Sequence, residues 1–400
     1  MGGIKVKNLF LLLSQIGQWY KIGMKSSHLL RAVAAGLLLG GCASALTESQ
    51  PHGILKTPVQ NQAKEKPAKN FLGTQTYVNG NQEDLDAFNQ GVDISADMGM
   101  KYLRLDAKWE KLEVNGVINS DEMHKYIQRK KYIESRGMKP IFVMTTFHGQ
   151  HLATGKYGFP SIPADQTAYA RFVAAFAKAM GPDTMVELGN EVNLGVKEPE
   201  QVGYYANMVK TVSKELSAQN VKAITLGPAV STWQDGNPDH ISALNFMQLA
   251  KDQGAKFDLY TIHLYNGVGR PEDLVPKLLG AKKIAGDAGL AVTESGWSSD
   301  AGPNGVGEIE QSRRDLKLVG LVHDTGVVKF QIVYEALEHT PNWCNDRKTG
   351  KLLPGLPDQG FVHLIPSEQH FGLARQPADL KSPVQLKPAG EAIKKYIFSP

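Results

Sequence analysis

Met185-Val186-Glu187-Leu188-Gly189-Asn190-Glu191 opens as a buried strand and closes on two polar residues. Runs of the same kind recur along the chain. They are Phe71–Val78, Lys101–Asp106, Pro140–Thr146, Met185–Asn190, Ala223–Pro228, Leu259–Tyr265, Leu290–Glu294 and Val327–Tyr334. Helical, amphipathic patterns lie between them, near 84–98, 121–136, 164–180, 199–219, 241–253, 271–287 and 308–323, with a last one at 388–397. Pro and acidic residues mark helix starts at Pro163-Ala164-Asp165, Glu198-Pro199-Glu200 and Arg270-Pro271-Glu272-Asp273. Eight strand–helix units fit either a doubly wound sheet or a closed (β/α)8 TIM barrel. The polar residues favour the barrel, because they end many different strands and only a barrel gathers all those ends at one mouth. The first strand also carries no Gly-x-Gly-x-x-Gly, reading Leu72-Gly73-Thr74-Gln75-Thr76-Tyr77 instead.

The strand ends carry chemically capable groups: Arg104 and Asp106 after the second, His148 after the third, Asn190-Glu191 after the fourth. His263 and Tyr265 follow the sixth, Glu294 and Trp297 the seventh, and Tyr334-Glu335 the eighth. Cleavage of a glycosidic bond requires two carboxyl groups about the anomeric carbon, one protonated and one ionised. Glu191 and Glu294, 103 residues or about three units apart, would face each other across the mouth. Arg104 and the Tyr265 hydroxyl are placed to hold Glu294 ionised, and Asn190 to bind a sugar 2-hydroxyl. Glu191, whose sequence neighbours are neutral, is expected to carry the proton with a raised pKa. His148, His263 and Glu335 are candidate substrate contacts, each also readable as a wall residue. Of the tryptophans, Trp233 and Trp297 are the candidates for stacking on a sugar face. Arg104 has a structural alternative in Asp106 or Glu113.

The pattern resembles clan A glycoside hydrolases, especially families 5 and 39, over about residues 70–397. Arg104, His148, Asn190 with Glu191, His263 with Tyr265, and Glu294 carry the resemblance. It implies a retaining double displacement with Glu191 as acid/base and Glu294 as nucleophile, and no cofactor or metal. The chain departs from family 5 in Val192 where Pro usually follows Asn-Glu, and in Tyr334-Glu335 where the eighth strand usually carries Trp. Gly-Asn-Glu-Val and Glu-Ser-Gly-Trp also resemble family 17. In a retaining enzyme the carboxyl groups should lie about 5–5.5 Å apart, against about 6.5–9.5 Å for inversion.

Upstream of the barrel the character differs. Met24-Lys25 to Arg31 is short and basic, residues 32–41 are apolar and small, and Cys42 follows. This reads as a secretory signal, with Met24 a more typical start than Met1. Leu39-Gly40-Gly41-Cys42 resembles a bacterial lipobox, which implies a lipid on Cys42 and a place in the cell envelope, at the outer membrane; the alternative is an ordinary cleaved signal and a secreted or periplasmic protein. Residues 43–69, rich in Gln, Lys, Pro, Ser and Thr, read as a flexible tether, and 70–400 as the catalytic domain. Removing the five cations of residues 1–41 takes the formal charge from +4 to −1. A near-neutral chain gives no reason to expect nucleic acid as a partner, and leaves a carbohydrate substrate with the membrane reached only through a lipid anchor. Only Cys42 and Cys344 occur, so no disulfide framework and no zinc spacing is present. A second function class fits the same barrel, a non-catalytic carbohydrate-binding lipoprotein, although the presence of both glutamates argues against it. A metal amidohydrolase would need His-x-His on the first strand, and a Schiff-base aldolase a strand-end Lys; neither is found.

Overall fold

A computed structural model describes residues 69–76, 82–148, 162–194, 196–233, 235–237, 240–338, 369–375 and 382–399. The signal-like segment, Cys42 and the tether up to residue 68 lie outside these residues. So do most of 149–163 and 338–372, after the third and eighth strands. Lys69, at the end of the proposed tether, is already part of the domain: its Nζ donates to the Ser399 carbonyl and hydroxyl, 2.7 Å each.

Eight parallel strands close into a barrel. They are β1 (Leu72–Gln75), β2 (Tyr102–Ala107), β3 (Lys139–Met144), β4 (Thr184–Leu188), β5 (Ala223–Ser231), β6 (Leu259–Leu264), β7 (Leu290–Ser295) and β8 (Gln331–Val333). Each pairs with the next, and β8 pairs with β1 to close the ring. Helices follow the strands in order: α1 (Gln82–Asp97), α2 (Ser120–Ser135), α3 (Gln166–Met180), α4 (Pro199–Ala218), α5 (Ala243–Asp252), α6 (Val275–Ala285), α7 (Glu308–Thr325) and α8 (Pro388–Phe398). The expected first-turn signals are used. Asp165 accepts from the Ala168 amide, and Glu198 forms a capping box with Gln201. The segment expected to be helical over 271–287 starts instead as a tighter turn, Pro271–Leu274, because Pro276 interrupts the amide ladder just beyond it. None of the described helices is long and apolar enough to cross a membrane.

Strand alternation builds two cores. Outward residues such as Leu103, Leu105, Val186, Leu188, Ile262 and Val292 pack under the helices. Inward residues Ile141, Met185, Leu226, Leu259, Ala291, Phe330 and Ile332, with Tyr102 and Ile224, fill the barrel floor. Gly73 is the contribution of β1 to that layer. A Cβ there would lie 2.6 Å from Ile332 Cδ1 and from Tyr102 Cβ, so a side chain would force the floor open. Above this apolar plug the lumen turns polar.

Two irregularities set what that polar layer contains. Between β5 and β6 the register shifts, Gly227 facing Tyr260 but Val230 facing Ile262, so β5 carries one extra residue. Between β6 and β7 it shifts again, Ile262 facing Val292 but His263 facing Glu294, so the extra residue is in β7. A bulge reverses the parity of everything beyond it. Val292 faces the helices, so unbroken alternation would have sent Glu294 there as well; the bulge turns it inward beside His263. The bulge in β5 does the same for Ser231.

Candidate active site

Arg104 is the hub of the site and is completely buried. Its Nε donates to Glu187 Oε2 at 2.7 Å, Nη1 to Gln75 Oε1 at 2.5 Å and also to Glu294 Oε1, and Nη2 to Asn190 Oδ1 at 2.7 Å. The backbone explains the convergence: Gln75 is the register partner of Arg104, and Glu187 points into the lumen from β4. Arg104 thus pairs with neither Asp106 nor Glu113, the structural alternatives its sequence left open.

Glu294 receives a second donor. The Tyr265 hydroxyl gives a 2.8 Å hydrogen bond to Oε2, so both carboxylate oxygens accept. His263, wholly buried, places Nδ1 3.3 Å from Glu191 Oε1 and 3.5 Å from Glu294 Oε2. One atom from each of Glu191, His263 and Glu294 lies within 4.8 Å of the others. Such a trio is close enough to converge on a cation, but the Arg104 guanidinium on Glu294 already supplies a positive charge there and opposes one.

Glu191 reaches this cluster through a turn. Gly189 takes φ of +93°, and a Cβ on it would meet Val192 Cγ1 at 2.7 Å. Glu191 itself sits at φ +46°, a conformation that non-glycine residues adopt only when their surroundings hold them. Those surroundings are the Leu194 amide on the Glu191 carbonyl, 2.9 Å, and Asn193, whose side chain exchanges two hydrogen bonds with the Ser231 backbone, 2.7 and 2.9 Å.

The direction for Glu191 differs from the raised pKa expected from its neutral sequence neighbours. His263 comes from β6 and was not visible as its neighbour. Burial alone would raise the Glu191 pKa, but the His263 hydrogen bond and charge pull it below the usual carboxylate value, with smaller help from Ser231 and Arg104. Glu294 goes the other way. Burial raises it, the nearby Glu191 charge adds to that, and His263, Arg104 and Tyr265 only partly offset the rise. The two carboxyls lie close enough to titrate as a pair.

Glu187 is a third lumen carboxyl that the sequence reading quoted but did not place in the site. Burial raises it, and Arg104 and His263 outweigh that and hold it below the usual range. Its signal was available: Glu187 has the parity of Met185, so a charge there must enter the barrel and find a partner. Ser231 and Gln75 were also missed, and for Ser231 no local signal existed because its orientation depends on the β5 bulge.

The remaining candidates divide. Trp233 is half-buried and packs edge-on against Tyr265, ring centroids 6.3 Å apart, next to Tyr334 and Phe371. Trp297 is 2% exposed and belongs to the main core. Its amide donates to Asp315 and its carbonyl accepts from Gln311, 3.2 and 2.8 Å, so it serves as a scaffold behind β7 and does not offer a face to a sugar. His148 is buried against Trp109, and its Nε2 lies 3.0 Å from the Glu113 carbonyl. Glu335 is buried at the end of β8, joined to Tyr334 by a cis peptide bond. A separate cavity of about 270 Å³, lined by Phe71, Tyr102, His323 and Lys329 among others, lies away from all of these groups.

No family model matches the sequence, and no curated protein matches it. Solved structures do. A family 39 glycoside hydrolase from Bacteroides cellulosilyticus WH2 superposes with a TM-score of 0.57 at 19% identity, covering 82% of this chain and 63% of that one. A GH5_18 structure from Streptomyces cattleya in complex with GlcNAc gives 0.58 at 15% identity, covering 82% and 81%. An exo-β-1,4-mannosidase from Opitutaceae bacterium strain TAV5 gives 0.54 at 13%, covering 82% and 58%. The chain therefore spans about three fifths of the length of the first and third of these proteins, and what it shares with all of them is the TIM-barrel fold.

Proposed function

We propose that this chain is a retaining glycosidase, with Glu294 as nucleophile and Glu191 as acid/base. The observation that carries the reading is the trio of Glu191, His263 and Glu294, with one atom of each within 4.8 Å of the others. Such closeness suits a pair of carboxyls about 5–5.5 Å apart, the separation used in double displacement.

The roles follow from donors and access. Both Glu294 oxygens accept from fixed donors, an arrangement that stabilises the carboxylate needed for attack. Glu191 is the more open of the two, its side chain 22% exposed against 8%. A leaving group departing towards solvent meets Glu191 first. Before attack a proton must stand on Glu191, and His263 Nδ1 lies 3.3 Å from its Oε1 and 3.5 Å from Glu294 Oε2, between the two carboxyls. Glu294 then bonds to the anomeric carbon as the glycosidic bond breaks, and the Glu191 proton goes to the departing oxygen. In the second half Glu191 takes a proton from water, which displaces Glu294. Asn190, with Oδ1 committed to Arg104, has its amide hydrogens left for a sugar hydroxyl.

A set of activated 2-deoxy-2-fluoro glycosides, followed by mass spectrometry, tests this directly. Label on Glu294 is expected. Label on another residue would overturn the role assignment. Glu294→Gln and Glu191→Gln should each lose at least about 10²-fold in turnover, and azide should restore only Glu191→Gln, as a glycosyl azide. A wild type that binds oligosaccharides and cleaves none would favour the binding-protein reading. The basic and apolar run up to Gly41, followed by Cys42, supports anchoring in the cell envelope, at the outer membrane; labelled fatty acid should enter the wild type and not Cys42→Ala.

A further inference from the structure

Asp106 stands in the lumen without a structural task. It lies two residues beyond Arg104 on β2, with the same inward parity as Tyr102 and Arg104, while Leu103, Leu105 and Ala107 pack under the helices. It is therefore about 7 Å further towards the mouth than Arg104. Its backbone is fixed, the carbonyl accepting the Tyr126 hydroxyl at 2.8 Å. Its carboxyl, by contrast, makes no hydrogen bond or ion pair among the described residues. The charges around it are Lys108, Arg104 and Glu187. Arg104 is committed to Glu187, Gln75, Glu294 and Asn190. A half-buried carboxyl in such a place loses hydration and is normally repaid by a partner. No described residue supplies one.

We propose that Asp106 is a substrate-binding residue that sets the sugar class. Its carboxylate accepts hydrogen bonds from hydroxyls of a neutral ring seated over Glu294, and disfavours a ring that carries a carboxylate of its own. The assignment rests on the glycosidase reading above.

The test compares the wild-type chain with Asp106→Ala and Asp106→Asn on nitrophenyl glycosides of neutral sugars, their monodeoxy analogues, and the matching uronides. Asp106→Ala should lower kcat/KM by about 10- to 100-fold, as removal of a charged acceptor does, with the thermal midpoint nearly unchanged. One monodeoxy substrate should lose a similar factor on the wild type and be treated alike by wild type and variant, which a merely structural role would not produce. The wild type should prefer the neutral glycoside to the uronide by at least about tenfold, and Asp106→Asn should narrow that gap. An active wild type with Asp106→Ala within twofold of it overturns this proposal alone. So does an equal loss on every analogue, or a preference for uronides. A wild type that cleaves nothing and takes no label on Glu294 removes the glycosidase reading, and this inference falls with it.

Discussion

Replacing Glu187 by Gln tests the electrostatic logic of the barrel interior without touching either proposed catalytic carboxyl. Arg104 and Glu187 form a pair in which neither side chain exceeds 1% exposure, with Nε and Oε2 2.7 Å apart. Breaking such a pair by removing one charge costs about 3–5 kcal/mol. The lower end applies, since the Gln carbonyl can still accept from Nε, so the expected loss is about 3 kcal/mol. With an unfolding entropy near 2.1 cal/mol/K per residue, the roughly 330 residues of the domain should show a fall of about 4 °C in Tm. The loss should depend on pH with a definite sign. Glu187 is held below its ordinary value in the folded state. Its contribution is therefore fully present above the unfolded carboxyl pKa and disappears as pH falls through the folded one. Melting curves of wild type and Glu187→Gln should differ by the full amount at pH 7 and begin to converge only as pH falls below about 4. Activity should suffer as well, because Arg104 would then be held on that side by a neutral group and its donor to Glu294 would be less firmly oriented. A Tm difference below 1 °C at pH 7, or one that does not change with pH, would show that Glu187 is not the ionised partner of Arg104.

Three further substitutions probe other parts of the same structure. Asp315 is buried behind β7 with Oδ2 unbonded, and burial pushes its carboxyl well above the ordinary range. The folded state then keeps a proton that the unfolded chain releases, so stability falls as pH rises above about 4, by about 1.4 kcal/mol per unit until the folded value is reached. Asp315→Asn should remove this slope, and a wild-type-to-variant Tm difference that stays flat from pH 4 to 8 counts against it. Tyr265→Phe removes one of the two donors on Glu294; kcat/KM should fall about 10- to 100-fold and the acid limb of its pH profile should move to higher pH, whereas an unmoved limb would deny the contact a role in holding the carboxylate. Gly189→Ala should cost more than the ordinary penalty of about 1–2 kcal/mol for a side chain at positive φ, because its Cβ meets Val192 as well. Gly137→Ala, at φ +76° with open space around it, is the control that should lose stability and keep activity.

The fold was legible because a barrel repeats its instruction eight times. Each unit carries a short apolar run and an amphipathic helix, so a misplaced boundary in one unit does not disturb the count. The boundaries did move: β8 was read as Val327–Tyr334 and is Gln331–Val333, and β5 extends past Pro228 to Ser231. Such errors arise because propensity is nearly level across a strand end, while the end itself is decided by pairing with neighbours distant in sequence.

The site is a harder case, and β7 shows why. Leu290, Val292 and Glu294 share one parity, and two of them face the helices. Read with period two alone, Glu294 is an acid pointing into an apolar layer. It becomes a lumen residue only because β7 carries one more residue than β6 at this point, which the β7 sequence does not encode by itself. The lowered pKa of Glu191 was out of reach for the same reason. Glu191 has neutral neighbours along the chain, and its strongest partner, His263, arrives from two strands away across the barrel. Glu187 was within reach, since an acid at the parity of the floor residues has to be answered by a cation, and Arg104 was already in view. What a single strand shows is therefore which residues enter the lumen when alternation holds. Which of them meet is settled by the bulges and by the barrel's closure.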